Sequence, residues 1–265
     1  VAFFLFGIPG TGKSVFINVL ERLIGKENCC TVPLGHLANR FGLAPLTEKL
    51  VNLVGDMPYA PENGRTADVE GLFKSITSGD IIKVERKNID GWEARAVARM
   101  VFATNHLPDF SDRSAGVYDR LRIIPFTQRF RDTPKQNRNL SVELLDELPG
   151  VLNWSLRGLA KLRQQKTFPE CPEGERIKSE HRNQCDHERE FLSETTEECL
   201  GGYAGSKQLY ELYRAWILAN GYKALGQGKF KNSVKQYFPK VIEERQREGA
   251  GQITVYRNIR LKNSL

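Results

Sequence analysis

Apolar positions along the chain change their period several times, and each change marks an element. Val1–Phe6 is a short unbroken apolar run rich in aromatics, the pattern of a strand buried on both faces of a parallel sheet. Past Lys13 the period lengthens, with Val15, Val19, Leu20 and Leu23 spaced for one face of a helix. Further runs at Leu50–Val54, Ala98–Ala103 and Arg122–Phe126 predict three more strands. With helical stretches between them, residues 1–126 read as an α/β domain with a parallel sheet. A polar insertion, PYAPENGRTADVEGLFKSITSGD, separates the second strand from the third. Behind it, IIKVERKNIDGWEARAVA alternates in two arms and predicts a hairpin turning at Asn88-Ile89-Asp90-Gly91.

Leu140–Gln165 predicts a helix that stops before Thr167-Phe168-Pro169. Residues 169–176, PECPEGER, have linker chemistry. Ile177–Glu198 predicts a charged helix, and Gly201-Gly202 a further break. In the last segment Ser206 is the expected cap of a helix carrying Leu209, Leu212, Tyr213, Trp216 and Ile217, which ends at Asn220-Gly221. A second helix is expected over Lys229–Tyr237 and a third segment over Val241–Glu248. The closing GQITVYRNIRLK alternates like a β-ribbon bearing basic residues. Helices followed by a two-stranded wing suggest a winged-helix domain. The expected organisation is an α/β domain over 1–165, a helical linker over 166–200 and a basic winged-helix domain over 201–265.

Charge sharpens that division. The chain of 265 residues has a formal net charge of +7. Residues 200–265 hold 12 Lys/Arg against 4 Glu, a balance of +8, so the remaining 27 against 28 give −1. A basic excess confined to the last quarter favours a polyanion such as nucleic acid over general solubility. No apolar run approaches the roughly 18 residues that would span a bilayer. The five cysteines are an odd number and include the neighbours Cys29 and Cys30, which suggests a reducing, cytoplasmic setting over a disulfide framework. Cys171, His181, Cys185 and His187 match no common zinc-ligand spacing. Because the chain opens directly on a core strand, it is expected to be a piece of a longer polypeptide.

The loop after the first strand carries the most specific chemistry. Gly7-Ile8-Pro9-Gly10-Thr11-Gly12-Lys13-Ser14 has the P-loop spacing of glycine, four residues, then glycine-lysine-serine. The glycines allow successive N–H groups to turn inward around phosphate oxygens, and the following helix adds its positive end. Lys13 is expected to reach the outer phosphates and Ser14 to offer its hydroxyl to Mg²⁺. A strand tip at Asp56 supplies the acid that such a site needs, and the strand ending in Asn105 supplies a polar group able to orient water. Of the pair Arg120 and Arg122, one is suited to stabilising the charge that spreads over a transferring phosphate.

The ordered set GIPGTGKS, LVNLVGD, ITSGDIIKVERKN, VFATNHLPDFSD and RLRIIPF resembles the superfamily 3 helicases. More specifically, it resembles the ATPase half of the primase–helicases of phages, phage-derived plasmids and poxviruses. The likeness covers nearly the whole chain, and SKQLYELYRAWILANGY resembles that family's winged-helix tail. It implies an AAA+-like P-loop fold and ATP hydrolysis with Mg²⁺ between subunits of a homo-hexamer that encircles single-stranded DNA. It makes Lys13 and Ser14 the phosphate and Mg²⁺ ligands, Asp56 the Walker B acid, Asn105 the sensor and Arg120 the finger acting on a neighbour's nucleotide. It also makes the hairpin a pore element centred on Arg86, Lys87 and Asn88, and it implies a preceding primase or primase–polymerase module. A P-loop ATPase whose winged helix binds duplex DNA as a regulator is the alternative.

Overall fold

The opening apolar run forms β1 (Ala2–Phe6), and the glycine-rich loop leads into α1 (Lys13–Ile24). There follow β2 (Cys29–Cys30), β3 (Val51–Val54), α2 (Thr66–Ser78), β4 (Ile81–Arg86) and β5 (Ile89–Arg95). Then come β6 (Arg99–Thr104), α3 (Ala115–Tyr118), β7 (Leu121–Pro125), α4 (Leu140–Asp146), α5 (Leu148–Gln165) and α6 (Pro172–Gln184). The computed structural model describes residues 1–57, 66–110, 115–222, 224–248 and 251–262. Residues 58–65 of the polar insertion, and the Ser111-Asp112 end of VFATNHLPDFSD, lie outside the described residues. The chain divides into two units, Val1–Arg182 and Asn183–Leu265.

The first unit is built on a five-stranded sheet in the order β2-β3-β6-β1-β7, with every pairing parallel. β1 lies between β6 and β7, so Phe4 stands beside Phe102 and Ile123, and Leu5 beside Ala103 and Ile124. Successive side chains leave opposite faces of a strand. Phe4 and Phe102, with ring centroids 5.1 Å apart, belong to the core that includes Val69, Phe73 and Ile76 of α2. Leu5, Leu53 and Ala103 face the other way, against Ile17, Leu20 and Ile24 of α1. Helices on both faces explain why the strand signals are unbroken apolar runs instead of alternating ones. The same topology brings the carboxyl ends of β3, β6 and β1 out side by side, where sheets of this type bind their ligands.

A buried amide helps hold the acid-bearing strand. Asn52 has no solvent exposure; its Oδ1 accepts from the Val32 N–H at 2.6 Å and its Nδ2 donates to the Val32 carbonyl at 2.9 Å. β2 is two residues long, and the side chain extends its pairing past Cys30. Removing the amide would orphan a buried N–H, at a cost of about 1–3 kcal/mol.

Three expectations for this unit are corrected. The hairpin turns at Lys87-Asn88, since Arg86 pairs with Ile89, and Asp90-Gly91 lies within β5. Asn88 takes the positive φ of 62° that the turn demands, a conformation asparagine tolerates. Leu140–Gln165 is two helices broken at Glu147, because Pro149 within one continuous helix would lack a donor and press on the preceding turn. The supposed linker 169–176 shrinks to three residues, since Pro172 opens α6, a position that suits its fixed φ.

The second unit contains α7 (His187–Thr195), β8 (Thr196–Gly205), α8 (Ser206–Ala219), α9 (Gln227–Tyr237), β9 (Ile242–Glu248) and β10 (Gly251–Leu261). Its antiparallel sheet runs β8-β10-β9, so the segment Val241–Glu248 supplies a strand to the expected ribbon. The charged helix stops at Gln184 and restarts after Asp186, whose carboxylate accepts from the Arg189 N–H at 3.1 Å, and its expected end becomes β8. At Gly201-Gly202, where Gly201 has φ 80°, β8 bulges: its pairing with β10 stops at Glu198, opposite Ile259, and resumes at Tyr203, opposite Arg257. Ser206 is the first residue of α8, and Gly205 takes the cap position. Phe191, Tyr213 and Phe230 centre the core, with the Tyr213 and Phe230 rings stacked at 4.3 Å. Among the described residues, no helix is long and apolar enough to cross a membrane.

Candidate functional site

The loop between β1 and α1 uses its three glycines for three different reasons. Gly12 has φ 94° and open space around it, so the left-handed backbone alone requires glycine. Gly10 has φ 85°, and a Cβ there would meet the Arg131 Cβ at 2.5 Å. Gly7 lies below the loop, where a Cβ would come within 2.2 Å of the Phe126 carbonyl oxygen. Thr11 is buried and donates to the Ile8 carbonyl at 3.0 Å, which closes the loop on itself. α1 begins with no side-chain cap, so its first N–H groups face the loop cavity without a side-chain acceptor.

A cavity of about 520 Å³ opens over this loop. Pro9, Gly10, Thr11, Gly12, Lys13 and Ser14 form one wall. Gly55 and Asp56, just past β3, and Asn105, just past β6, form another. The parallel sheet therefore brings together Asp56 and Asn105, just past strand ends, with Lys13 and Ser14 at the start of α1. Lys13 is buried, and its ammonium donates to the Gly7 carbonyl at 2.5 Å, the Ile8 carbonyl at 3.0 Å and Asn105 Oδ1 at 2.9 Å. Burial pulls this ammonium below the ordinary lysine range, and the Asp56 carboxylate partly offsets that. The end of β3 is fixed by the Met57 N–H, which donates to the Ala103 carbonyl at 3.0 Å.

The remaining wall comes from a segment that the sequence reading overlooked. After β7 the chain crosses the loop as a strap: the Phe126 N–H donates to the Phe6 carbonyl at 2.7 Å. Further on, the Phe130 and Arg131 N–H groups both donate to the Gly10 carbonyl, at 2.9 and 3.2 Å. Phe130, Arg131, Lys135, Gln136, Asn137 and Leu140 then line the cavity. The signal available was Gly10 itself, whose need for a missing side chain implies a close neighbour.

Arg120 is not among the residues lining the cavity. It precedes β7, at the amino end of the sheet, where its guanidinium donates to the Gly116 carbonyl and to Ser78 Oγ, the latter at 2.7 Å. Arg122, the other member of the pair, donates to the Asp119 and Leu121 carbonyls at 3.3 and 3.1 Å.

Arg86, Lys87 and Asn88 gather at the tip of the β4–β5 hairpin, around a second hollow of about 820 Å³. Lys87 and Asn88 are exposed. Arg86 pairs with Glu48 at 2.7 Å and lies 5.8 Å from the Trp92 ring centroid. Across the hollow, Arg40 pairs with Glu85 at 3.0 Å and lies over the exposed Phe41 ring at 5.4 Å. Arg40 and Phe41 are a second set that sequence reasoning missed, because their loop has no periodicity.

Residues 5–120 match a family of unknown function, DUF5906, and residues 186–260 match the family described as poxvirus D5 protein-like. A protein of Invertebrate iridescent virus 3, named "Putative helicase 121R", is 24% identical over 74% of this chain and 24% of its own length. The chain thus spans about a quarter of that relative. The apo structure of the NrS-1 C terminal region (305-718) has the same fold, with a TM-score of 0.51 at 15% identity over 97% of this chain and 66% of that one.

Proposed function

For a chain of the superfamily 3 primase–helicase type, as these relatives support, we propose that it works as an ATP-dependent DNA helicase motor. The observation that carries this reading is the convergence of Lys13, at the start of α1, with Asp56 and Asn105, just past the ends of β3 and β6, on one cavity over a phosphate-binding loop. The cavity's size suits one nucleotide. The loop N–H groups cradle the phosphates, with Gly7 and Pro9 setting its course. Lys13 exchanges its carbonyl partners for phosphate oxygens, and the freed Asn105 amide orients the attacking water. Ser14 and Asp56 are both exposed and offer only oxygen donors, which fits Mg²⁺. Held there with the nucleotide, Mg²⁺ supplies charge neutralisation at the outer phosphates.

Arg120 acts on a neighbour's nucleotide. The five-residue β7 lies between it and the cavity end of the sheet, roughly 16 Å, so it does not serve its own site. A homo-hexameric ring provides the neighbour. Lys87, flanked by Arg86 and Asn88, then holds backbone phosphates of single-stranded DNA in the pore, and Arg40 with Phe41 adds a cation and a stacking face. None of these groups reads bases, which a motor on any sequence requires. In the second unit, α8, α9 and the β9–β10 ribbon form a basic winged-helix domain.

The test is steady-state ATP hydrolysis with and without single-stranded DNA, for the wild type and Lys13→Ala. Single strands should stimulate turnover several-fold, and Lys13→Ala should lower it by at least about 100-fold. A demonstrably hexameric wild type that ignores single strands but binds duplex DNA would instead make the chain a regulatory ATPase.

A further inference from the structure

We propose that Arg131 and Lys135, on the strap after β7, hold the nucleotide's phosphates from within the same subunit. This inference rests on the reading of the loop cavity as a nucleotide site. It starts from charge. The cavity is lined by Lys13, Arg131 and Lys135 against the single carboxylate of Asp56. Lys13 and Asp56 already offset each other, so the strap supplies the whole excess, a formal +2. A bound cation would increase that excess, whereas a polyphosphate would neutralise it.

The strap is also built to present these two cations. Arg131 is fixed by its backbone, through the N–H that donates to the Gly10 carbonyl, while its Cβ occupies the space left by the missing Gly10 side chain. Its guanidinium has no hydrogen-bond or ion-pair partner among the described residues, and neither has the Lys135 ammonium. The one nearby acid of the strap is already engaged: Asp132 takes Arg129 Nη2 at 3.2 Å. The turn between the two cations is pinned by the Asp132 N–H, which donates to Gln136 Oε1 at 2.9 Å, with Asp132 at φ 62°. A fixed backbone with unpaired cationic ends over a phosphate loop is an anion clamp that lacks its anion.

The consequence is a division of labour. A single subunit already holds the triphosphate tail with loop, lysine and strap, and a neighbour's arginine is needed only for turnover. The experiment is a fluorescence titration with methylanthraniloyl (mant) ATP, ADP and AMP in Mg²⁺, at concentrations where light scattering shows a monomer. Arg131→Ala should weaken mant-ATP binding about 10–100-fold and narrow the preference for ATP over ADP. Lys135→Ala should weaken it about 3-fold. Arg131→Lys should recover part of the loss, and Arg138→Ala, a nearby charge outside the cavity, should bind as the wild type. Arg131→Gln replaces Arg131→Ala if the latter melts more than a few degrees early.

Wild-type affinity in both Arg131→Ala and Lys135→Ala, with binding lost in Lys13→Ala, overturns the clamp and leaves the nucleotide site intact. An equal loss for mant-ATP and mant-AMP marks Arg131 as packing only, and also overturns it. If Lys13→Ala itself binds like the wild type, the nucleotide reading fails and takes this inference with it.

Discussion

In the loop cavity the central lysine is buried and pinned by three acceptors, whereas at the hairpin the central lysine stands in solvent. The two hollows of the first unit share a cationic character but differ in how the cations are held. Around the loop, burial and three hydrogen bonds fix Lys13, and a backbone hydrogen bond and a glycine contact fix the main chain of Arg131, before any ligand arrives. Around the hairpin, Arg40 and Arg86 rest in exposed ion pairs with Glu85 and Glu48, each worth about 0–1 kcal/mol and easily exchanged. On the proposed reading, the first arrangement suits a small ligand whose phosphates must occupy defined positions for chemistry. The second suits a chain of phosphates that has to be gripped and released repeatedly.

The sharpest way to break this contrast is to disturb the fixed hollow through its backbone. Gly10→Ala forces a side chain into a φ of 85° and against Arg131 Cβ, so the strap must lift from the loop. Nucleotide affinity should fall by about 100-fold, and thermal unfolding should shift down by several degrees, while single-stranded DNA binding by the hairpin stays at its wild-type value. Calorimetry and fluorescence anisotropy on one preparation separate these effects. Normal nucleotide affinity would show that the strap is not what shapes the loop.

The same contrast explains what could be read from the sequence. β1, β3 and β6 were legible because two-sided burial leaves near-continuous apolar runs, and the edge strand β7 because Leu121 and Ile123 are buried. The meeting of Asp56 and Asn105 was legible because parallel strands deliver their tips to one edge, and that of Lys13 because the loop spacing places it at the start of α1. The strap was not. It grips Gly10 through the N–H groups of Phe130 and Arg131, and a backbone contact leaves no side-chain pattern. The turn was misplaced because Asp90-Gly91 is a strong hairpin signal, while Lys87-Asn88 turns on one tolerant asparagine. In the second unit, Gly201-Gly202 reads as a break, and it does interrupt the ladder: pairing with β10 skips residues 199–202, between the Arg257–Tyr203 and Ile259–Glu198 pairs, before β8 resumes its register.

At the exchangeable hollow, a single truncation should have a smaller effect. If Lys87 holds a phosphate as proposed, Lys87→Ala removes one exposed contact, so affinity for a single-stranded oligonucleotide should drop about 5–10-fold, and the dependence of log affinity on log salt should flatten by about one contact. Anisotropy titrations at several salt concentrations measure both. An affinity loss with an unchanged salt slope would mean that Lys87 shapes the turn and does not hold a phosphate.

The smallest expected effect has the opposite sign. On the proposed reading Glu48 competes with DNA for Arg86, since the two form a pair at 2.7 Å with both side chains about half exposed, 42% and 51%. Glu48→Gln keeps the shape, removes the competing charge and releases the guanidinium. Single-stranded DNA should then bind about 2–4-fold more tightly at low salt, the size expected of one surface pair. Because exposed charges are screened over about 8 Å at physiological ionic strength, the gain should fade as salt rises. A tightening that survives high salt would mean instead that Glu48 acts by holding the hairpin against the loop before β3, so that part of this hollow would be as fixed as the other.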